Sequence, residues 1–187
     1  MGELAAEAGF ALETGLHGKG KIGALLERVL GATGGSAARF DFPDLEVELK
    51  TVPLGDNGRP SESTYVCKLR LLDADRAEWS ASWVRKKLSR VLFVPFRALR
   101  IGRSVLFEPT PEDDAMLKSD FDEIMGLIGL GGIETLTAHT GRWLQARPKA
   151  AHGDVRTAAI GPDHEIVSAT PRGFYLRASF VADVLLR

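Results

Sequence analysis

The chain has 187 residues, 44% of them hydrophobic and 26% charged, with a formal net charge of −1. That is the composition of an ordinary soluble globular protein of one domain, or of two small lobes around a shared cleft, and no stretch approaches the ~20 apolar residues of a membrane span. Cys67 is the single cysteine, which excludes an internal disulfide and a thiolate zinc cluster; with no signal-peptide layout at the start, a reducing cytoplasm is the expected setting.

In chain order, residues 2–12 read as a short helix and residues 15–20 as a glycine-broken loop. Residues 21–32 read as an amphipathic helix, because Ile22, Leu25, Leu26, Val29 and Leu30 fall on one stripe and Glu27 lies on its flank. Residues 45–52 alternate strictly: Leu45, Val47 and Leu49 point one way, Glu46, Glu48 and Lys50 the other. A turn over residues 55–60 and a second strand over residues 63–72 suggest a hairpin. A helix is expected over residues 79–89, strands over 90–95 and 105–107, and a long helix over 112–130, closed by a C-cap turn at Gly129-Leu130-Gly131-Gly132. Strands over residues 133–137, 143–147, 166–169 and 173–176 follow, then a short helix from Ser179. The order is mixed α/β without regular βαβ alternation, and no repeat is visible.

Charge is unevenly spread. Between Trp79 and Phe107 stand seven basic residues and no acidic one; between Glu108 and Met125 stand seven acidic residues and one lysine. Such a chain can show a basic face while staying near neutral overall, or simply carry two solvated helix faces of opposite sign.

The strand at Glu48 is the most informative element. Residues two apart on a strand share a face, so Glu48 and Lys50 aim at one volume. Asp41 lies seven residues upstream, across the Phe42-Pro43 bend, close enough for its carboxylate to come alongside. Two carboxylates suit magnesium, and a lysine beside them can orient or deprotonate a water and stabilise charge on a scissile phosphate. Glu27, on the preceding helix, could add a further carboxylate. By itself the Glu-x-Lys pattern is weak, since chance gives about one match in a chain of this length; an exposed strand with alternating charges fits it equally. Other chemistries find less support. The chain has no Gly-x-Ser-x-Gly elbow, no Walker loop and no Gly-x-Gly-x-x-Gly after a strand, and His17, His139, His152 and His164 lack metal-ligand spacing.

Several blocks, in order along nearly the whole chain, resemble the MutH family of DNA mismatch-repair endonucleases. They are Gly20-Lys21-Ile22-Gly23-Ala24-Leu25-Leu26-Glu27, Phe40-Asp41-Phe42, Val47-Glu48-Leu49-Lys50-Thr51, Gly58-Arg59-Pro60, Val66-Cys67, Val84-Arg85-Lys86-Lys87-Leu88, Arg90-Val91-Leu92, Leu144-Gln145-Ala146-Arg147-Pro148-Lys149-Ala150-Ala151 and Pro171-Arg172-Gly173-Phe174-Tyr175-Leu176. The resemblance implies an α/β (α+β) chain with a restriction-endonuclease-like fold. A mixed central sheet with flanking helices is expected in a single domain, residues 1–187, whose two sub-lobes share a DNA cleft.

The resemblance also implies a magnesium-dependent endonuclease that nicks the unmethylated strand at hemimethylated GATC sites in duplex DNA. MutL stimulates the family and MutS acts indirectly through it. Asp41 and Glu48 resemble the magnesium ligands and Lys50 the catalytic lysine; Glu27 and Lys87 match further active-site residues. Arg147, Pro148 and Lys149 match the loop that reads GATC, and Tyr175 the tyrosine tied to sensing adenine methylation. Tyr65 stands where the family often has a phenylalanine at the DNA; Lys19 and Arg85 complete the expected DNA-binding set. The family usually carries a further N-terminal helical segment and a few more C-terminal residues, and here Lys21 replaces a typical tryptophan and Trp83 a typical histidine. One active site per monomer favours nicking. The alternatives are a restriction-type GATC enzyme cutting both strands and a non-catalytic DNA-binding protein.

Overall fold

The computed structural model describes residues 19–34, 39–98, 100–137, 139–149 and 154–186. The helix expected over residues 2–12 lies outside them. The described residues form two compact units.

The first unit takes the residues up to Glu62, Ser89–Glu108 and those from Val181. Its helix α1 (Lys19–Val29) turns Ile22 and Leu26 onto Leu49, Val94 and Phe96. Strand β1 (Glu48–Pro53) runs parallel to β3 (Val91–Arg97), with Glu48 opposite Val91 and Lys50 opposite Phe93. The short strands β4 (Arg100–Ile101) and β5 (Val105–Phe107) pair antiparallel with β3, so the sheet is mixed. β3 is apolar almost throughout because it is the central strand, and Val91 and Phe93 are fully buried. Each such buried side chain contributes roughly 1.5–3 kcal/mol.

The second unit takes Ser63–Leu88 and Pro109–Phe180. Its sheet places β9 (Arg172–Leu176) between β2 (Thr64–Lys68) and β6 (Leu144–Pro148), all antiparallel. A separate hairpin joins β7 (Thr157–Ile160) to β8 (Ile166–Ala169). Helix α2 (Trp83–Leu88) is short; α3 (Pro111–Gly129) is long. α3 starts at Thr110, whose hydroxyl accepts the Asp113 N–H while the Asp113 carboxylate accepts the Thr110 N–H, with Pro111 in its first turn. It buries Leu117, Phe121, Ile124, Met125 and Ile128, the spacing of one helical face. Phe121 stacks on Phe174 of β9 with ring centroids 5.7 Å apart, which fixes helix to sheet. The chain closes with α4 (Ala178–Leu185). No described helix is long and apolar enough to cross a membrane.

The mixed α+β architecture matches the expected restriction-endonuclease-like class, but four local expectations need correction. β1 and β2 do not form a hairpin: β1 pairs with β3, and β2 pairs with β9. Pro53 and Pro60 bracket the turn, and Pro60 cannot donate to a ladder, so only an isolated bridge at Leu54 and Pro60 forms. The strand expected over residues 133–137 is a single 3-10 turn, Ile133–Thr135, because the Thr135 N–H and hydroxyl both donate to the Gly132 carbonyl. The helix expected over residues 79–89 splits into a 3-10 turn, Trp79–Ala81, and α2, since the Ser82 hydroxyl accepts the Arg85 N–H and restarts the helix. β4 and β7 have no counterpart among the expected strands.

Candidate active site

The site in the first unit is built by a reversal just before β1. Phe42 and Val47 exchange backbone hydrogen bonds of 3.0 and 3.2 Å around the 3-10 turn Pro43–Leu45. Closing that turn requires Glu46 in the left-handed region, φ 51°. The reversal lays Asp41 beside β1, where its Oδ2 accepts the Leu49 N–H at 2.8 Å. From the other side, the Asp41 carbonyl accepts N–H groups from Thr33 and Gly34. Gly34 is needed there: a Cβ would lie 2.1 Å from the Phe40 carbonyl oxygen.

Glu48 opens β1, 2% exposed, and its Oε1 accepts from Lys50 Nζ at 2.5 Å; the Lys50 side chain is 16% exposed. The alternation therefore places the pair on one side of the strand, as expected, but not on a solvated face. Asp41 is buried as well. A buried charge requires a partner or a metal.

The donor set suits magnesium, which uses one or two carboxylates and keeps several waters. Among the described residues no three His, Cys, Asp or Glu side chains gather into a preformed metal cage. Glu27 is half-buried on α1, the helix packed against the β1–β3 sheet.

In the second unit, β2, β9 and β6 bring five of the expected DNA-contacting residues together, Tyr65, Arg147, Pro148, Lys149 and Tyr175, while Lys19 and Arg85 stand elsewhere. Tyr65 and Gln145 lie opposite Tyr175 on either side of β9. The Tyr65 and Tyr175 rings meet edge to face, centroids 5.3 Å apart. Lys149 Nζ stands 4.4 Å from the Tyr65 ring centre and the Arg147 guanidinium 5.8 Å from that of Tyr175, both within cation–π range. Arg147, Pro148 and Lys149 are exposed. Burial, then the neighbouring Cys67 and Tyr175, push the Tyr65 phenol above its ordinary value, so it remains a neutral hydroxyl.

Sequence reasoning did not single out two supports of this cluster. Gln145 is buried and donates to the Ser63 hydroxyl at 2.6 Å. Gly173 leaves room for Tyr65, because a Cβ there would lie 2.8 Å from the ring. Only strand pairing reveals either role; no local motif does.

Lys87 is buried in α2, with its Nζ 5.5 Å from the Trp83 ring centre and Lys86 at 5.6 Å from the same ring. Arg85 pairs with Asp114 at 3.1 Å, and Trp79 Nε1 donates to the same carboxylate at 3.0 Å. Arg90 pairs with Glu108 and Arg97 with Asp56. The basic stretch is thus partly neutralised within each unit and is not one bare cationic face. Lys19 opens α1, and its side chain lies outside the described set.

The family model described as "DNA mismatch repair enzyme MutH" matches residues 30–120, a span that includes Asp41, Glu48, Lys50 and Lys87. The DNA mismatch repair protein MutH of Escherichia coli is 44% identical over all of this chain and 86% of its own length. The MutH proteins of Yersinia enterocolitica, at 42% with the same coverage, and of Vibrio cholerae, at 43% over 99% of this chain and 88% of that protein, are similarly related. Identity at this level along the full length places this chain in the MutH family of DNA mismatch repair proteins.

Proposed function

We propose that this protein is a magnesium-dependent endonuclease of DNA mismatch repair that nicks the unmethylated strand at hemimethylated GATC sites. The observation that carries the reading is the buried Asp41–Glu48 pair with Lys50 bonded to Glu48. A protein that only binds DNA has no use for two buried carboxylates beside a lysine, since both repel phosphate.

Asp41 and Glu48 would hold magnesium, which when bound supplies Lewis acidity and a more acidic water. Asp41 is fixed through Leu49, so one oxygen is committed to the backbone and Oδ1 is left to coordinate. Lys50, steered by Glu48, orients the attacking water and stabilises charge on the phosphate. Glu27 and Lys87 are proposed to assist cleavage. Arg147 reads guanine by paired hydrogen bonds in the major groove. Lys149 contacts phosphate, which positions the protein without reading sequence. Tyr175 contacts the adenine edge where a methyl group would sit. The protein acts as a cytoplasmic monomer, the two units serving as lobes of one domain, and MutL stimulates it in response to MutS.

Incubation with magnesium and GATC duplexes that are unmethylated, hemimethylated or fully methylated, with and without MutL, tests this. Nicks confined to unmethylated strands are expected, faster with MutL. Double-strand cuts without MutL would instead make it a restriction-type enzyme. Binding without cleavage in every condition would make it a non-catalytic DNA-binding protein.

A further inference from the structure

The strand that carries Arg147 is entered through residues 140–143, and that entry is held from two sides. Asp120, on α3 and 4% exposed, accepts three consecutive backbone N–H groups. Its Oδ1 takes Arg142 at 2.7 Å; its Oδ2 takes Trp143 at 2.6 Å and Leu144 at 2.8 Å. Glu123, one turn further along α3, accepts the Gly141 N–H at 3.1 Å. Against these anions, the Arg177 guanidinium donates to the carbonyls of Gly141, at 2.7 and 3.0 Å, and Thr140, at 3.0 Å. The Arg177 N–H also donates to the Trp143 carbonyl at 2.8 Å. The Trp143 ring stacks on Phe180 with centroids 4.6 Å apart. Charge-assisted bonds of this kind are roughly twice as strong as neutral ones, and three on one buried carboxylate leave the backbone a single arrangement.

We infer that Asp120 is a positioning residue for DNA recognition, fixing the start of β6 and thereby the register in which Arg147 and Lys149 stand against Tyr175 and Tyr65. The inference rests on the DNA reading above. The link is geometric. Gln145 pairs with Tyr175 and Arg147 with Gly173, so the clamp lies one residue before the pairing that brings the cluster together. A slip of one residue would turn Arg147 to the opposite face of the sheet. The far end of β6 is held by the backbone alone, the Lys149 N–H donating to the Pro171 carbonyl at 2.7 Å, so the charged clamp is at the start of the strand. Asp120 directs its hydrogen bonds to a row of backbone donors, Arg142, Trp143 and Leu144, rather than to the side chains of the cluster.

The test is Asp120→Asn, assayed beside the wild type for cleavage of a GATC duplex and of duplexes with one base of the site changed. The amide keeps the size of the carboxylate but turns an NH₂ toward the donor row. The variant is expected to raise KM for the GATC duplex and to lower the preference for GATC by on the order of 10- to 100-fold, with kcat little changed. A lower melting temperature and lower kcat with KM and preference unchanged would mean a merely structural role and overturn the inference. Should Asp120→Asn not fold, Glu123→Gln, at an exposed position, decides: a smaller loss of preference in the same direction supports the inference, and none overturns it. A wild type that shows no GATC-directed cleavage overturns the function reading and this inference together. Normal wild-type cleavage with unchanged preference in both variants overturns the inference alone.

Discussion

Glu48 and Lys50 hold each other at 2.5 Å on β1, with the carboxylate almost fully buried. Lys50→Ala should therefore lower cleavage by on the order of 10²- to 10⁴-fold while DNA binding survives, read by single-turnover cleavage and gel shift on one duplex. Turnover close to wild type would remove Lys50 from the chemistry. Magnesium should also register without DNA: at 100 times its dissociation constant it should stabilise the wild type by about 2.7 kcal/mol in thermal melts, and Glu48→Gln should lose most of that gain. An equal upward shift in both proteins would place the metal elsewhere. At the recognition cluster, Arg147→Ala should cost about 1–3 kcal/mol of discrimination at the base it reads, measured by cleavage of single-substituted sites. The Glu48–Lys50 partnership was legible in the sequence because strand alternation is a local rule. The tie from Asp41 to the Leu49 N–H was not, since it depends on the left-handed turn at Glu46 and the close approach of Gly34. The burial of Glu48 was equally hidden, because the residues that cover a strand lie far along the chain.

At the scale of the elements, local chemistry sets boundaries and tertiary pairing sets partners. Thr110, Pro111 and Asp113 mark the start of α3, and its apolar spacing marks the buried face; both are readable without coordinates. Thr110→Ala should cost roughly 0.5–2 kcal/mol in denaturant unfolding, with cleavage by the remaining folded protein unchanged. A loss of cleavage in excess of the loss of folded protein would give the cap a role in the site. The strand pairings followed a different rule. β1 sits beside β3 because a nearly continuous apolar strand needs partners on both edges, and β2 joins β9 because Tyr65 fits over Gly173. These are long-range preferences, so the adjacent strands suggested a hairpin that does not form. The turn at Ile133–Thr135 shows the opposite failure: apolar and β-branched residues imply a strand, but the Thr135 hydroxyl satisfies a carbonyl locally and ends the segment.

For the whole molecule, a net charge of −1 obscures how the cations are used. Arg85, Arg90 and Arg97 are paired with carboxylates, whereas Arg147 and Lys149 lie against tyrosine rings at an exposed sheet end. Family membership rests on similarity along the full chain rather than on any one motif. The most direct measurement places wild type and Glu48→Gln on the same hemimethylated GATC duplex with strand-specific labels, with magnesium and with chelator. The expected result is one nick, on the unmethylated strand, by the wild type with magnesium only, and no nick by Glu48→Gln although it still binds the duplex. Cleavage by the wild type in chelator, or by Glu48→Gln at a rate near that of the wild type, would contradict the account.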